Sequence, residues 1–208
     1  MSTAPIQFAS PDDSEELARA ELYGLLARLW MAPPDAALQQ QFAVAVTQAP
    51  EPGALLEEPW TELVAALRST PLADAQAEFV ALFQGVGKPE IFVYGSFYLA
   101  GFLNEKPLAQ LRTDLAALGL TRDIANSETE DHVAYLFEVM RYLIAGDDLA
   151  VCNLEQQRRF FRAHVQPWLA DLCAAVAAHP RAALWRQLAT FTQAFIDIEV
   201  QAFDLLET

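Results

Sequence analysis

Cysteine is almost missing from this chain: Cys152 and Cys173 stand alone in 208 residues, and neither belongs to a C-x-x-C pair. Two thiols so far apart cannot form the disulfide framework of a small secreted domain. They suit a reducing compartment, where they pack as small apolar residues. Histidine is nearly as scarce. His132, His164 and His179 are never four residues apart, and none completes a Glu-x-x-His pair. A di-iron helical site needs that pair, and Glu128 with His132 alone offers too few ligands for a metal. No cofactor, metal or catalysis is expected. Positive charge is also short, with 13 Lys and Arg against 28 Asp and Glu, a net charge of −15. Nucleic-acid binding requires a basic footprint, so no nucleic-acid partner is expected. No apolar run approaches the roughly 18 residues of a membrane span. The opening M-S-T-A-P-I-Q-F has neither the basic nor the apolar region of a secretory signal. The expected location is cytoplasmic, without stable membrane insertion.

What is present is helical. Hydrophobic residues make up 53% of the chain and only 8 residues are glycine, while long Ala, Leu, Gln and Glu stretches dominate. The expected fold is an all-α, single-domain bundle of roughly nine or ten helices. Residues 1–12 read as a flexible tail, and 13–208 as one helical domain with a possible hinge near 119–127. Asp13 and Glu16 resemble a capping box ahead of a helix reaching about Met31, with Leu17, Leu22, Leu25, Leu26 and Leu29 on its apolar face. Pro33-Pro34 ends it, and a second helix to about Gln48 shows Leu38, Phe42 and Val46. Further helices are expected over Trp60–Arg68, from Pro71 to Gly85 as C-cap, from Ser96 as cap to Leu103, and over Glu105–Leu118. After these come Leu154–Val165, Pro167–Ala178 and Ala182–Leu206. Between Gly85 and Ser96, glycines and a proline among aromatic and β-branched residues predict an ordered loop.

The centre of the chain is Ser127 to Ile144. Ser127 and Glu130 form an S-x-x-E capping box, and Glu128, Glu130 and Asp131 place acid where the helix dipole favours it. His132, Leu136, Val139 and Leu143 recur at helical spacing, and Val133, Phe137 and Met140 widen that stripe. A core helix whose polar first turn breaks the surface makes a natural binding site. Phosphate motifs fail nearby. A P-loop would need Gly at Leu82 and Ser or Thr at Pro89, and a dinucleotide fingerprint would need Gly at Glu90. Asp131 and His132 diverge by about 100° on a helix, too far to work as an acid–base pair.

Three segments resemble the TorD/DmsD/NarJ group of redox-enzyme maturation chaperones. They are Leu82-Phe83-Gln84-Gly85 with the loop ending Tyr94-Gly95-Ser96; Glu128-Thr129-Glu130-Asp131-His132, similar to the group's E-P-x-D-H signature; and His164-Val165-Gln166-Pro167-Trp168, similar to its H-x-x-P-W run. Thr129 departs from the usual proline, and Tyr94 stands where some members carry tryptophan. The resemblance implies an all-helical chaperone that binds the N-terminal, twin-arginine signal of a molybdenum-cofactor oxidoreductase subunit and holds back export until the cofactor is loaded. It implies a recognition site of Tyr94, Ser96, Tyr98, Glu128, Asp131 and His132, and partners in the signal peptide and body of the molybdoenzyme catalytic subunit. Carboxylates suit paired guanidinium donors, and the aromatic loop offers apolar and cation–π surface. The chaperone is expected as a monomer or domain-swapped homodimer. The alternative is a helical small-molecule or nucleotide-binding sensor or enzyme using the same acidic mouth.

Overall fold

The chain was analysed as a computed structural model, which describes residues 11–44, 55–85, 87–122 and 127–205. Among these residues it forms ten α-helices: α1 (Pro11–Met31), α2 (Ala36–Val44), α3 (Glu57–Ser69), α4 (Leu72–Phe79), α5 (Gly95–Ala100), α6 (Lys106–Ala117), α7 (Val133–Ala145), α8 (Leu154–Phe160), α9 (Gln166–Ala178) and α10 (Leu184–Leu205). No strand is found among them. Val46, the Ala49–Gly53 break, Leu206 and most of the expected tail lie outside the described residues. So do residues 123–126, in the middle of the expected hinge.

The core is built where apolar periodicity is strongest. α1 packs along α7, and α10 packs against α9 and α3. Tyr23 of α1 is fully buried, with Phe137 of α7 at 5.7 Å and Phe195 of α10 edge-on at 4.9 Å between ring centroids. A second aromatic layer joins Phe79, Phe83, Trp30 and Trp185. Trp30 donates its indole N–H to the Thr192 hydroxyl at 3.1 Å, so its polar atom is satisfied inside the core. Leu17 departs from the expected apolar face and is 58% exposed. It lies to one side of the stripe made by Tyr23, Leu26, Ala27 and Trp30.

Two helices widen into π-turns before they end. α4 continues as a π-helical turn over Val80–Gln84, closed by the Gly85 N–H donating to the Val80 carbonyl at 2.8 Å. Gly85 takes φ +57°, and a Cβ there would stand 2.2 Å from the Lys88 carbonyl oxygen, so glycine is required. α8 likewise runs into a π-turn over Phe161–Val165 that feeds α9. Pro167 explains it. Proline lacks an N–H and clashes with the carbonyl four residues back, and one extra residue in the turn ahead relieves both.

Candidate functional site

The loop from Gly87 to Tyr94 returns to the body by pairing with the segment ahead of α7. The Val133 N–H donates to the Val93 carbonyl at 2.9 Å, and the Gly95 N–H donates to the Asp131 carbonyl at 2.9 Å. One antiparallel bridge thus joins Tyr94 to His132. This pairing overrides the local capping box at Ser127. α7 starts at Val133, not at Ser127, and its N-cap is His132, whose Nδ1 accepts from the Ala134 N–H at 3.1 Å. Residues Glu128 to Asp131 form a turn outside the helix, and Ser127 Oγ donates to the Glu128 carboxylate at 3.3 Å. Ser96 likewise is not a cap. α5 begins one residue before it, with Tyr94 as N-cap, and ends at Ala100, not Leu103, because Gly101 turns left-handed at φ +80°.

The structure gathers all six expected residues around this bridge but gives them different work. Asp131 is only 3% exposed. Its Oδ2 accepts from the Ser96 N–H at 2.9 Å and its Oδ1 from the Thr129 hydroxyl at 2.6 Å. Each carboxylate oxygen is therefore engaged by a donor, and Thr129, the departure from E-P-x-D-H, supplies one of them. Ser96 is fully buried, and its Oγ accepts from the Asn104 N–H at 3.2 Å. Glu128 is half-buried and accepts from the Tyr94 hydroxyl. Burial and the Glu128 carboxylate together push the Tyr94 phenol well above its ordinary value. His132 is buried edge-on against the Tyr94 ring, 5.2 Å between centroids. Tyr98 donates to the Phe92 carbonyl at 2.8 Å and stacks on Trp168, at 5.5 Å and 22°.

That stacking brings in the third segment. Trp168 donates its indole N–H to the His164 carbonyl at 2.7 Å, and the Gly95 backbone sits directly on its ring. Between α5, α6 and the start of α9 lies a small open cleft of about 100 Å³. Leu99, Pro107, Leu111, Leu136 and Trp168 form its apolar walls, with Gln110, Asp131 and His164 as polar points. Three stretches far apart in the sequence thus share one cleft.

The sequence reading missed the partners on and beyond α6. Arg112 donates through Nε and Nη2 to Glu130 Oε2 at 3.0 and 2.8 Å, and Arg122 lies 4.0 Å from the same carboxylate. Glu130 is therefore already neutralised, and Arg112 holds it below its ordinary value. His164 Nε2 meets Asp114 Oδ2 at 2.8 Å, yet burial lowers the imidazole. Only charged residues at helical phase on α6, Arg112 and Asp114, could have signalled the pairs with Glu130 and His164. Among the described residues, no cluster of three or more His, Cys, Asp or Glu is placed to hold a metal. No described helix is long and apolar enough to cross a membrane.

The burial of His132 has a measurable consequence. Burial lowers its imidazole to about 4, although Glu128 and Asp131 pull the other way. Unfolded, it titrates near about 6.5. Between those values the folded state binds fewer protons than the unfolded one, so stability is full above the upper value and falls as pH drops toward the lower. The loss is on the order of 3 kcal/mol over that window. Urea unfolding of wild type and His132→Asn from pH 7 to pH 4 is expected to show the steeper decline in wild type. Asparagine still caps the helix but does not titrate. Parallel declines would refute the assignment.

A family described as nitrate reductase delta subunit matches residues 50–174, more than half of the chain and every residue of this site. Among solved structures, a candidate redox enzyme maturation protein from Archaeoglobus fulgidus has a TM-score of 0.55 at 17% identity, covering 94% of this chain and 98% of that one. At that identity the likeness is one of fold. No curated protein matches the chain.

Proposed function

Because the chain belongs to the nitrate reductase delta subunit family, whose members are maturation chaperones and not catalysts, we propose that it is a cytoplasmic chaperone for the catalytic subunit of a molybdenum-cofactor oxidoreductase. It binds the N-terminal signal of that subunit, a basic twin-arginine segment followed by an apolar one. Binding withholds the subunit from export until the cofactor is inserted and the body folded. The observation that carries this reading is the convergence of the three distant segments on one cleft. The cleft sets Asp131 and His164 among apolar walls, and Tyr94, next in the chain to its lining residue Gly95, holds Glu128. A net charge of −15 adds long-range attraction for a basic peptide.

Calorimetric titration with a twin-arginine signal peptide and its twin-lysine version, at moderate salt, tests it. A carboxylate and an aromatic ring favour the planar guanidinium over the ammonium, so the arginine peptide is expected to bind roughly tenfold tighter. Equal, weak binding of both that vanishes with added salt would reduce the interaction to unspecific attraction by an acidic surface and sink the proposal.

A further inference from the structure

One edge of α6 walls two clefts. Pro107, Gln110 and Leu111 line the small cleft described above, and Asp114, Ala117 and Leu118 line a second, of about 170 Å³. These positions follow one another at three- and four-residue steps, so they form a single helix edge. The facing wall is equally continuous. Gln156, Arg159 and Phe160 border the second cleft, Trp168 the first, and Ala163 and His164 border both. The two clefts are therefore one seam, between α6 and the run of α8, its π-turn and α9. What divides them is one contact, His164 Nε2 to Asp114 Oδ2 at 2.8 Å. Packed helices normally interdigitate with few voids, yet this seam has open space on both sides of a polar bridge. Two other groups reach the same carboxylate without closing the seam. Gln110 donates to it at 3.1 Å but travels with α6, and Arg159 is 68% exposed and 4.0 Å away, a weak pair.

The rest of α6 is arranged as a pivot. Leu108, Leu111 and Leu115 are buried and form its ridge. Arg112 stands about 200° round the helix from Asp114, and pairs with Glu130 on the opposite edge. Release of Asp114 from His164 leaves both the ridge and that pair in place, so the helix can rock about them. Its ends suit the motion. Gly101 at φ +80° precedes it, Gly119 at φ +73° follows it, and a Cβ on either would meet nothing within 4 Å. Glycine takes either sign of φ at little cost, and hinges are a few residues of this kind at element ends. α6 also packs chiefly against α5, which is only six residues long. We propose that α6 is a lid hinged at Gly101 and Gly119, and that the Asp114–His164 bridge is its latch. Releasing the bridge lifts the Asp114 edge and joins the two clefts into one slot along the helix.

The test is hydrogen exchange of the tryptophan indole N–H groups, read by NMR on the full chain. Trp168 walls the first cleft and is 2% exposed, while Trp30 is buried between α1 and α10 and bonded to Thr192. Exchange of a buried group follows the population of the opened state. Asp114→Ala should speed the Trp168 N–H about tenfold, the effect of one lost hydrogen bond, and leave the Trp30 N–H at its wild-type rate. Asp114→Asn can pair with either imidazole tautomer and should stay within about threefold of wild type. Thr113→Ala, exposed on the same helix, should change neither rate. Spin labels at Ala116→Cys on α6 and Glu155→Cys on α8, both exposed positions, should give one separation with Asp114 present and a second, longer one with Asp114→Ala. Unchanged Trp168 exchange in Asp114→Ala overturns the latch. Equal acceleration of Trp168 and Trp30 overturns the lid in favour of a bridge that only stabilises the whole fold. Faster Trp168 exchange without a longer separation also overturns it, since the opening would then lie elsewhere. The lid belongs to the chain alone, so each of these failures leaves the chaperone reading standing.

Discussion

Replacing Glu199 with alanine is expected to remove about 3–5 kcal/mol of stability, the effect of breaking a buried ion pair by deleting one partner. Glu199 lies on α10 and is 2% exposed. Its Oε1 accepts from Arg19 Nε at 2.7 Å, and its Oε2 from Arg19 Nη2 at 3.0 Å and from the Tyr23 hydroxyl at 2.9 Å. Arg19 reaches on to Glu16 and to Gln157, whose amide donates to the Leu143 carbonyl at 3.1 Å. One carboxylate therefore ties α1 to α10, and through Gln157 to α8 and α7. Without it, the fully buried Tyr23 phenol loses its acceptor and the largely buried guanidinium keeps only Glu16 and Gln157, and each donor left unpaired adds its own desolvation penalty. A domain of this size has only about 5–15 kcal/mol in total, so the variant should unfold at far lower urea. The exposed Arg141–Glu138 pair is the contrast. Both side chains are about half exposed, 53% and 48%, and Glu138→Ala should cost at most about 1 kcal/mol. Urea unfolding of both variants at neutral pH decides it. A loss for Glu199→Ala no greater than that for Glu138→Ala would mean the network contributes nothing net.

That network also shows where the sequence stops being legible. The apolar stripe of α7 can be read directly, since Leu136, Phe137, Met140 and Leu143 repeat at helical spacing and are all buried. The start of the same helix cannot. Ser127 and Glu130 make a sound local capping box, but Val93 and Gly95 arrive from some 40 residues away and take the backbone of Asp131 and Val133 into a bridge. Non-local hydrogen bonds outcompete a local cap, and nothing within Ser127–Ile144 announces them. The proline and glycine punctuation behaves similarly. Gly85 and Pro167 are visible as helix breakers, and the extra residue ahead of Pro167 follows from the proline, but the one wound into the turn before Gly85 is a packing outcome. For the candidate site, which residues come together was readable and which way they turn was not. Asp131 reads as a carboxylate available to a cation until the fold turns it toward Ser96. Glu130 reads as free acid until α6 brings Arg112 across. Arg19 and Glu199 are 180 positions apart, a separation at which no periodicity carries information.

Trp168→Ala is the variant expected to damage stability and site together. Trp168 is 2% exposed at the start of α9, and truncating a buried tryptophan removes about 3–5 kcal/mol. The location of the resulting cavity matters more than its size. The indole is the seat of α5: a Cβ on Gly95 would stand only 3.0 Å from the ring nitrogen, and Tyr98 stacks on the ring face. α5 is short, six residues, and its packing partners are chiefly α6 and α9. Removing the indole leaves α5 without its α9 support, and with it Ser96, Tyr98 and Leu99. Trp168→Phe separates packing from hydrogen bonding. It keeps most of the ring but leaves the buried His164 carbonyl without the indole N–H, a loss of about 1–3 kcal/mol. In the folded fraction, measured at low temperature, Trp168→Ala should lose peptide affinity while Trp168→Phe keeps most of it, because Tyr98 still has a ring to stack on. If Trp168→Ala binds the peptide like wild type once corrected for its folded fraction, the cleft does not depend on its floor. Peptide recognition would then have to rest on the Tyr94–Glu128 contact, beside the bridge in which the Val133 N–H donates to the Val93 carbonyl and the Gly95 N–H to the Asp131 carbonyl.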